Sequence, residues 1–249
     1  MNLNLFENFK LFWNSIKGNL IFVLEFIGIV VLIMLIAFIA EKILKKKYKD
    51  KEKILTTKKI AVIGIFGAMA GIFMTLEVPI PGLIPETHKF EIGDLPAIIC
   101  GFAFGPVAGV FVEFIKVFVK VLLKPTQTAF VGELANFIIG NSLVLPASVI
   151  YWCKKTKKTA LVSVIVGSII MIVFGTAFNA LYLIPKFIQM FGGDAAVIID
   201  GAHEVNRLIN DVGTYAIFAA GPINILKSVS VSVLAMLLYK PLSSIWKKS

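Results

Sequence analysis

The stretch NLIFVLEFIGIVVLIMLIAFIA, residues 19–40, leaves a chain like this few options. A helix needs about 20 apolar residues to cross a bilayer's hydrocarbon core. Lipid offers backbone groups no partners, so a span is a helix or part of a closed barrel. The run is too long for a signal-peptide core and is followed by lysines rather than a small-residue cleavage site, so a retained helix is expected. Further apolar runs follow at 60–76, 95–123, 134–153, 159–184 and 215–239. The run 95–123 is too long for one crossing and contains Gly105-Pro106, where proline removes a helix hydrogen bond and restricts the preceding residue. Splitting it there predicts one N-terminal helix plus six more, an all-α integral membrane protein.

Composition agrees: 58% of residues are hydrophobic and 16% charged, against roughly a quarter charged in soluble domains. The net charge of +10 reads as a topology signal and a contact for anionic lipid rather than for nucleic acid. If 42–59 is cytoplasmic, sixteen basic residues lie inside and six outside, so the N-terminus is expected outside and the C-terminus in the cytoplasm. Loops 77–93 and 186–214 then lie outside. In the latter, Val205, Leu208, Ile209 and Val212 have helical spacing and predict a surface helix. Cys100 and Cys153 sit in apolar runs and read as packing residues.

A lysine at mid-span costs about 2.5 kcal/mol or more, so it faces a cavity, a partner or a ligand. Lys227 is such a residue and shares a helix face with Asn224. Asn179, Asn136 beside Glu133, and Asn141 approach the outer side from two other helices. Amides both donate and accept while lysine only donates, which suits a polar ligand that is uncharged or weakly anionic. The alternative is interhelical glue, with Lys227 paired to Glu113 or Glu133. Glu113, Lys116, Lys120 and Lys124 form one stripe, whose outer lysines are expected to snorkel. Gly64 with Ala68, and Gly67 with Gly71, have the four-residue spacing of close helix contacts, internal or with another subunit.

No phosphate loop, H-E-x-x-H or G-x-S-x-G is present, and His88 and His203 give a histidine enzyme little to work with. Matching broken helices in two halves, the mark of many secondary transporters, are not seen. Binding is better supported than chemistry.

The series KFEIGDLPAIICGFAFGPVAGVFVEFIKVFVK, GELANFIIGNSLVLPASVIY, NALYLIP and GPINILKS resembles that of the substrate-binding S components of energy-coupling factor (ECF) vitamin transporters, riboflavin class. The resemblance runs from about 58 to 239. It implies a bacterial cell-membrane protein with a six-helix bundle at 58–249, preceded by an additional helix and basic linker at 1–57. It also implies riboflavin capture from outside, and as partner an ECF module of two ATPases and a transmembrane coupling subunit. Isoalloxazine and ribityl hydrogen bonds fall to Asn179, Asn224 and Lys227, near Asn136 and Glu133. Thr87, Lys89, Phe90 and Asp94 of the first outer loop lie over the site. The face of Ala61, Gly64, Gly67, Ala68 and Gly71 docks onto the coupling subunit. No cofactor is implied beyond the transported ligand, with flavin mononucleotide as a second ligand beside Lys227. A thiamine-type site would show stacked tryptophans, whereas Trp13, Trp152 and Trp246 fall near predicted interfaces. The alternatives are another vitamin, a self-contained ion-coupled transporter using Glu113 and Lys116, and a lipid-modifying enzyme.

Overall fold

The computed structural model describes residues 5–81, 85, 88–190 and 192–246. Where a threonine follows a lysine-rich connection, a helix starts. Thr56 accepts from the Lys59 backbone N–H at 3.3 Å to open α3, Thr57–Thr75, and Thr156 accepts from Thr159 at 3.2 Å to open α7, Lys157–Phe178. Such caps contribute about 1 kcal/mol each. The long central run does break at Gly105-Pro106. Gly105 has φ of +115°, a backbone region glycine enters without penalty, and Pro106 occupies the first turn of the next helix, where its missing N–H costs nothing. The break separates α4, Asp94–Phe104, from α5, Pro106–Leu123. The remaining bundle helices are α6, Val131–Cys153, and α11, Gly221–Trp246.

Among the described residues, five helical stretches are long and apolar enough to cross a membrane. α4 is not one of them: its 11 residues rise about 16 Å, half of a ~30 Å hydrocarbon core. Its first residue, Asp94, is fully buried, and nearby Glu91 is nearly so. The loop before α4 therefore dips into the bundle.

Two helices precede α3. α1, Leu5–Gly18, lies across the end of α5, where the Asn8 amide donates to the Leu122 and Leu123 carbonyls at 3.3 and 3.1 Å. Phe12 meets Phe118 and Phe130 edge-on. α2, Leu20–Lys47, extends past the expected apolar run and packs along α5 and α6. Its buried Glu41 accepts from the Val107 N–H at 3.0 Å, satisfying one of the first-turn donors of α5 that have no partner within the helix.

α3 packs on α5 through Gly67 and Gly71. A Cβ at Gly67 would strike Ile115, and one at Gly71 would lie 2.5 Å from Val119. This corrects the expected docking face: Gly67 and Gly71 are internal, and Ala61, Gly64 and Ala68 remain on the exposed side.

The surface helix in the last long loop is displaced from the expected position. α8, Ile184–Met190, continues from α7, and α9 runs Ala195–Val205. It stops there because Asn206 accepts from the Leu208 N–H at 3.1 Å, a local bond that competes with helix. Asp211 and Thr214 then form a capping box that starts α10, Val212–Tyr215. Leu208 is exposed, whereas Ile209 is buried in a second apolar cluster with Ile184, Ile199 and Tyr215.

Candidate functional site

Two helices are wound more loosely beside this cluster. A π turn, Asn179–Leu183, joins α7 to α8, and another, Ala216–Ala220, joins α10 to α11. Single π turns inside helices are frequently found at functional sites. Asn179 donates through Nδ2 to the Gly175 carbonyl at 2.7 Å. Its Oδ1 lies 3.3 Å from His88 Nε2, and Tyr215 Oη lies 3.4 Å from His88 Nδ1. Burial of His88, in the loop before α4, holds its imidazole below the usual histidine range. A neutral ring fits both contacts, with Nε2–H donating to Asn179 and Nδ1 accepting from Tyr215.

Deeper lies a network of buried charges. Lys227 on α11 pairs with Glu91, has Asp94 at 3.9 Å, and donates to Asn136 Oδ1 at 3.4 Å. Lys116 on α5 pairs with Asp94 and, at 2.6 Å, with Glu113. The second oxygen of Glu91 accepts from the Gly93 N–H. The partner expected for Lys227 was Glu113 or Glu133. Instead, Glu113 serves Lys116, and Glu133 is held by Lys120 at 2.7 Å and by the Thr126 and Thr128 hydroxyls at 2.9 and 3.1 Å. The carboxylates for Lys227 come from the dipping loop.

Above this network is a cavity of about 660 Å³, within the ~300–1,000 Å³ range of small-molecule sites. Lys120, Glu133, Asn136 and Glu91 contribute to one wall, and His88, Lys89 and Tyr215 to another. Val197, Ile198, Gly201, Ala202 and Val205 of α9 add an apolar side. At its edge Glu77 pairs with Lys124 and, at 3.3 Å, with Lys89. Lys120 is thus mostly buried and paired rather than snorkelling, while Lys124 keeps more than a third of its side chain exposed.

Of the residues read as a site, Glu133, Asn136 and Lys89 line the cavity. Lys227 and Asn179 stand behind it, each hydrogen-bonded to a lining residue. Asn224 is buried against Gly175, and its Nδ2 has no partner among the described residues. Phe90 pairs its backbone with Val78 and packs into the second apolar cluster, Asp94 is in the charge network, and Thr87 lies outside the described residues. Sequence reasoning missed Glu91, Glu77, Tyr215 and α9. The signal for Glu91 was EIGD, two carboxylates at the threshold of an apolar run with unpaired lysines across from it.

Residues 58–239 match the family described as the substrate-specific component of ECF transporters. The chain belongs to that family. Among its relatives, the riboflavin transporter RibU of Staphylococcus aureus is 27% identical, over 77% of this chain and 93% of the relative. The riboflavin transporter FmnP of Bacillus subtilis is also 27% identical, over 74% and 92%. A solved structure of the S component of a bacterial ECF transporter superposes with a TM-score of 0.59 at 28% identity, covering 76% of this chain and 98% of that one. This S component is therefore an all-α membrane protein of the transport class, and α1 and α2 precede the part that carries the family match.

Proposed function

We propose that this S component binds riboflavin in the cavity bordered by α9 and residues 88–91 and delivers it to an ECF module of two ATPases and a transmembrane coupling subunit. The observation that carries the reading is the cavity itself: one apolar side suited to a flat ring, with amides and one lysine behind the polar walls, in a chain whose relatives are named riboflavin transporters. The Asn224 Nδ2, which is buried and without a partner among the described residues, is a donor for a flavin carbonyl or ribityl hydroxyl, since such groups are expensive to leave unsatisfied. Asn179 and Lys227 reach the same ligand by exchanging their present bonds to His88 and Asn136. The cavity end faces outside and the lysine-rich end the cytoplasm, a reading supported by the distribution of basic residues. The chain acts as a binder without catalysis, and the exposed face of Ala61, Gly64 and Ala68 meets the coupling subunit.

Riboflavin uptake in a host lacking its own transporter tests this. Uptake is expected only when this chain and an ECF module are co-expressed. Accumulation by this chain alone would make it a self-contained transporter, and no uptake with a module that serves other S components would overturn the assignment.

A further inference from the structure

At the opposite, lysine-rich end of the bundle is a second cavity of about 260 Å³, just under the range for small-molecule sites. It is built across the boundary of the family match. Lys45 and Tyr48 come from the end of α2, Asp50 from the following linker, and Trp152, Lys154 and Lys155 from the end of α6. Two ammonium groups converge on one indole, Lys155 Nζ at 3.4 Å and Lys45 Nζ at 5.4 Å from the Trp152 ring centre. The ring is fixed, because its N–H donates to the Gly101 and Phe102 carbonyls at 3.0 and 3.2 Å. Asp50 is the single carboxylate in the lining, and Lys45 engages it at 2.9 Å. Asp50 also lies close enough to act on Lys155, and three lysines against that one carboxylate leave the described lining with a net positive charge.

We propose that this cavity binds the phosphate of an anionic bilayer lipid, held by Lys154 and Lys155 with Lys45 behind them. Basic pockets between helices at the membrane surface suit anionic headgroups, and Tyr and Trp are the side chains that sit at headgroup level. A lipid rather than a soluble anion is favoured by what adjoins the cavity. Phe38, exposed on α2, lies about two turns before Lys45 on the same helix face, where an acyl chain would lie. Desolvation, with Lys45 and Lys59 close by, holds the Lys155 ammonium below the ordinary lysine range even though Asp50 and Glu52 act to raise it, so a further anion would favour its charged form. The proposal gives α2 a role in retaining lipid at the junction it forms with α6, and it does not depend on the vitamin bound.

The test is native mass spectrometry of the full chain released from nanodiscs of mixed phosphatidylglycerol and phosphatidylcholine. The wild type is expected to retain phosphatidylglycerol selectively. The Lys154→Gln/Lys155→Gln variant should lose about fivefold in that preference per lysine removed. Lys157→Gln/Lys158→Gln, which removes the same charge from exposed positions outside the cavity, should keep it. Melting temperature of each variant reports folding independently of riboflavin. Equal retention of the two lipids, or equal loss in both variants, would overturn the site. Displacement of the lipid by millimolar inorganic phosphate would assign the cavity to a soluble anion and overturn the lipid.

Discussion

Replacing Lys227 by Met removes a charge with one role in the structure and a second in the proposed ligand site. Lys227 neutralises Glu91, has Asp94 within 3.9 Å and bonds to Asn136. All three carboxylates of the network are nearly inaccessible to water. Removing one member of a buried pair typically costs about 3–5 kcal/mol, because the remaining charge is stranded. Asp94 and Glu113 keep Lys116 as a partner, so the group left with no ammonium against it is Glu91. Glu91→Gln removes its charge while keeping an oxygen for the Gly93 N–H. The Lys227→Met/Glu91→Gln double variant should therefore recover most of the lost stability. It should not recover riboflavin affinity, since a charge-assisted hydrogen bond to ligand is worth about 1.5–3 kcal/mol, roughly ten- to a hundredfold in Kd. The assay is melting temperature and riboflavin titration on the same detergent preparations of the wild type, both single variants and the double variant. An unchanged melting temperature for Lys227→Met alone would refute the pairing. Full recovery of both stability and affinity in the double variant would refute a ligand role for Lys227.

Three other perturbations follow from the geometry. His88 is held neutral in the folded state, below the free value of 6.5, so the folded form binds fewer protons than the unfolded form below about pH 6.5 and stability falls as pH drops through that window. Thermal melts from pH 7.5 to 5.5 should show this, and His88→Gln, which donates and accepts without titrating, should flatten the dependence; an unchanged slope would contradict it. Gly67→Leu should lower apo stability by about 1–3 kcal/mol through overpacking against Ile115, whereas Ala68→Leu should leave melting and riboflavin binding intact and weaken co-purification with the ECF module. The reverse pattern would contradict the internal placement of Gly67. Gly175→Ala puts a methyl 2.7 Å from Asn224 Nδ2 and should reduce riboflavin affinity several-fold, checked by fluorescence titration; unchanged affinity would remove Asn224 from the site.

The helices were legible where their causes are local. Apolar run length, the Gly105-Pro106 break and the positions of the lysine-rich connections fix seven helices in order, and the structure places them there. What could not be read depends on pairing across the chain. Lys227 is paired through Glu91, which the dip of the loop before α4 carries into the bundle, and nothing in the periodicity of either segment marks that depth. The π turns at Asn179 and Ala216 leave the apolar pattern intact and so give no signal. α9 was expected about two to three turns too late, because Ile209 and Val212 keep apolar spacing across a loop that Asn206 and Asp211 impose by side-chain bonds. The small-residue spacing in α3 identified a close contact but not its partner: Gly67 and Gly71 meet α5, while Gly64 faces open space. Of the candidate site, the amides and Lys227 were found by depth, and the walls supplied by α9 and Glu77 were not.

Riboflavin titration into the purified, folded chain, without any partner subunit, bears most directly on the proposal. Isothermal calorimetry with parallel fluorescence is expected to show tight binding of one riboflavin per chain, with its emission quenched as the ring leaves water and stacks in the cavity. A folded sample that gives no heat and no quenching would contradict the account.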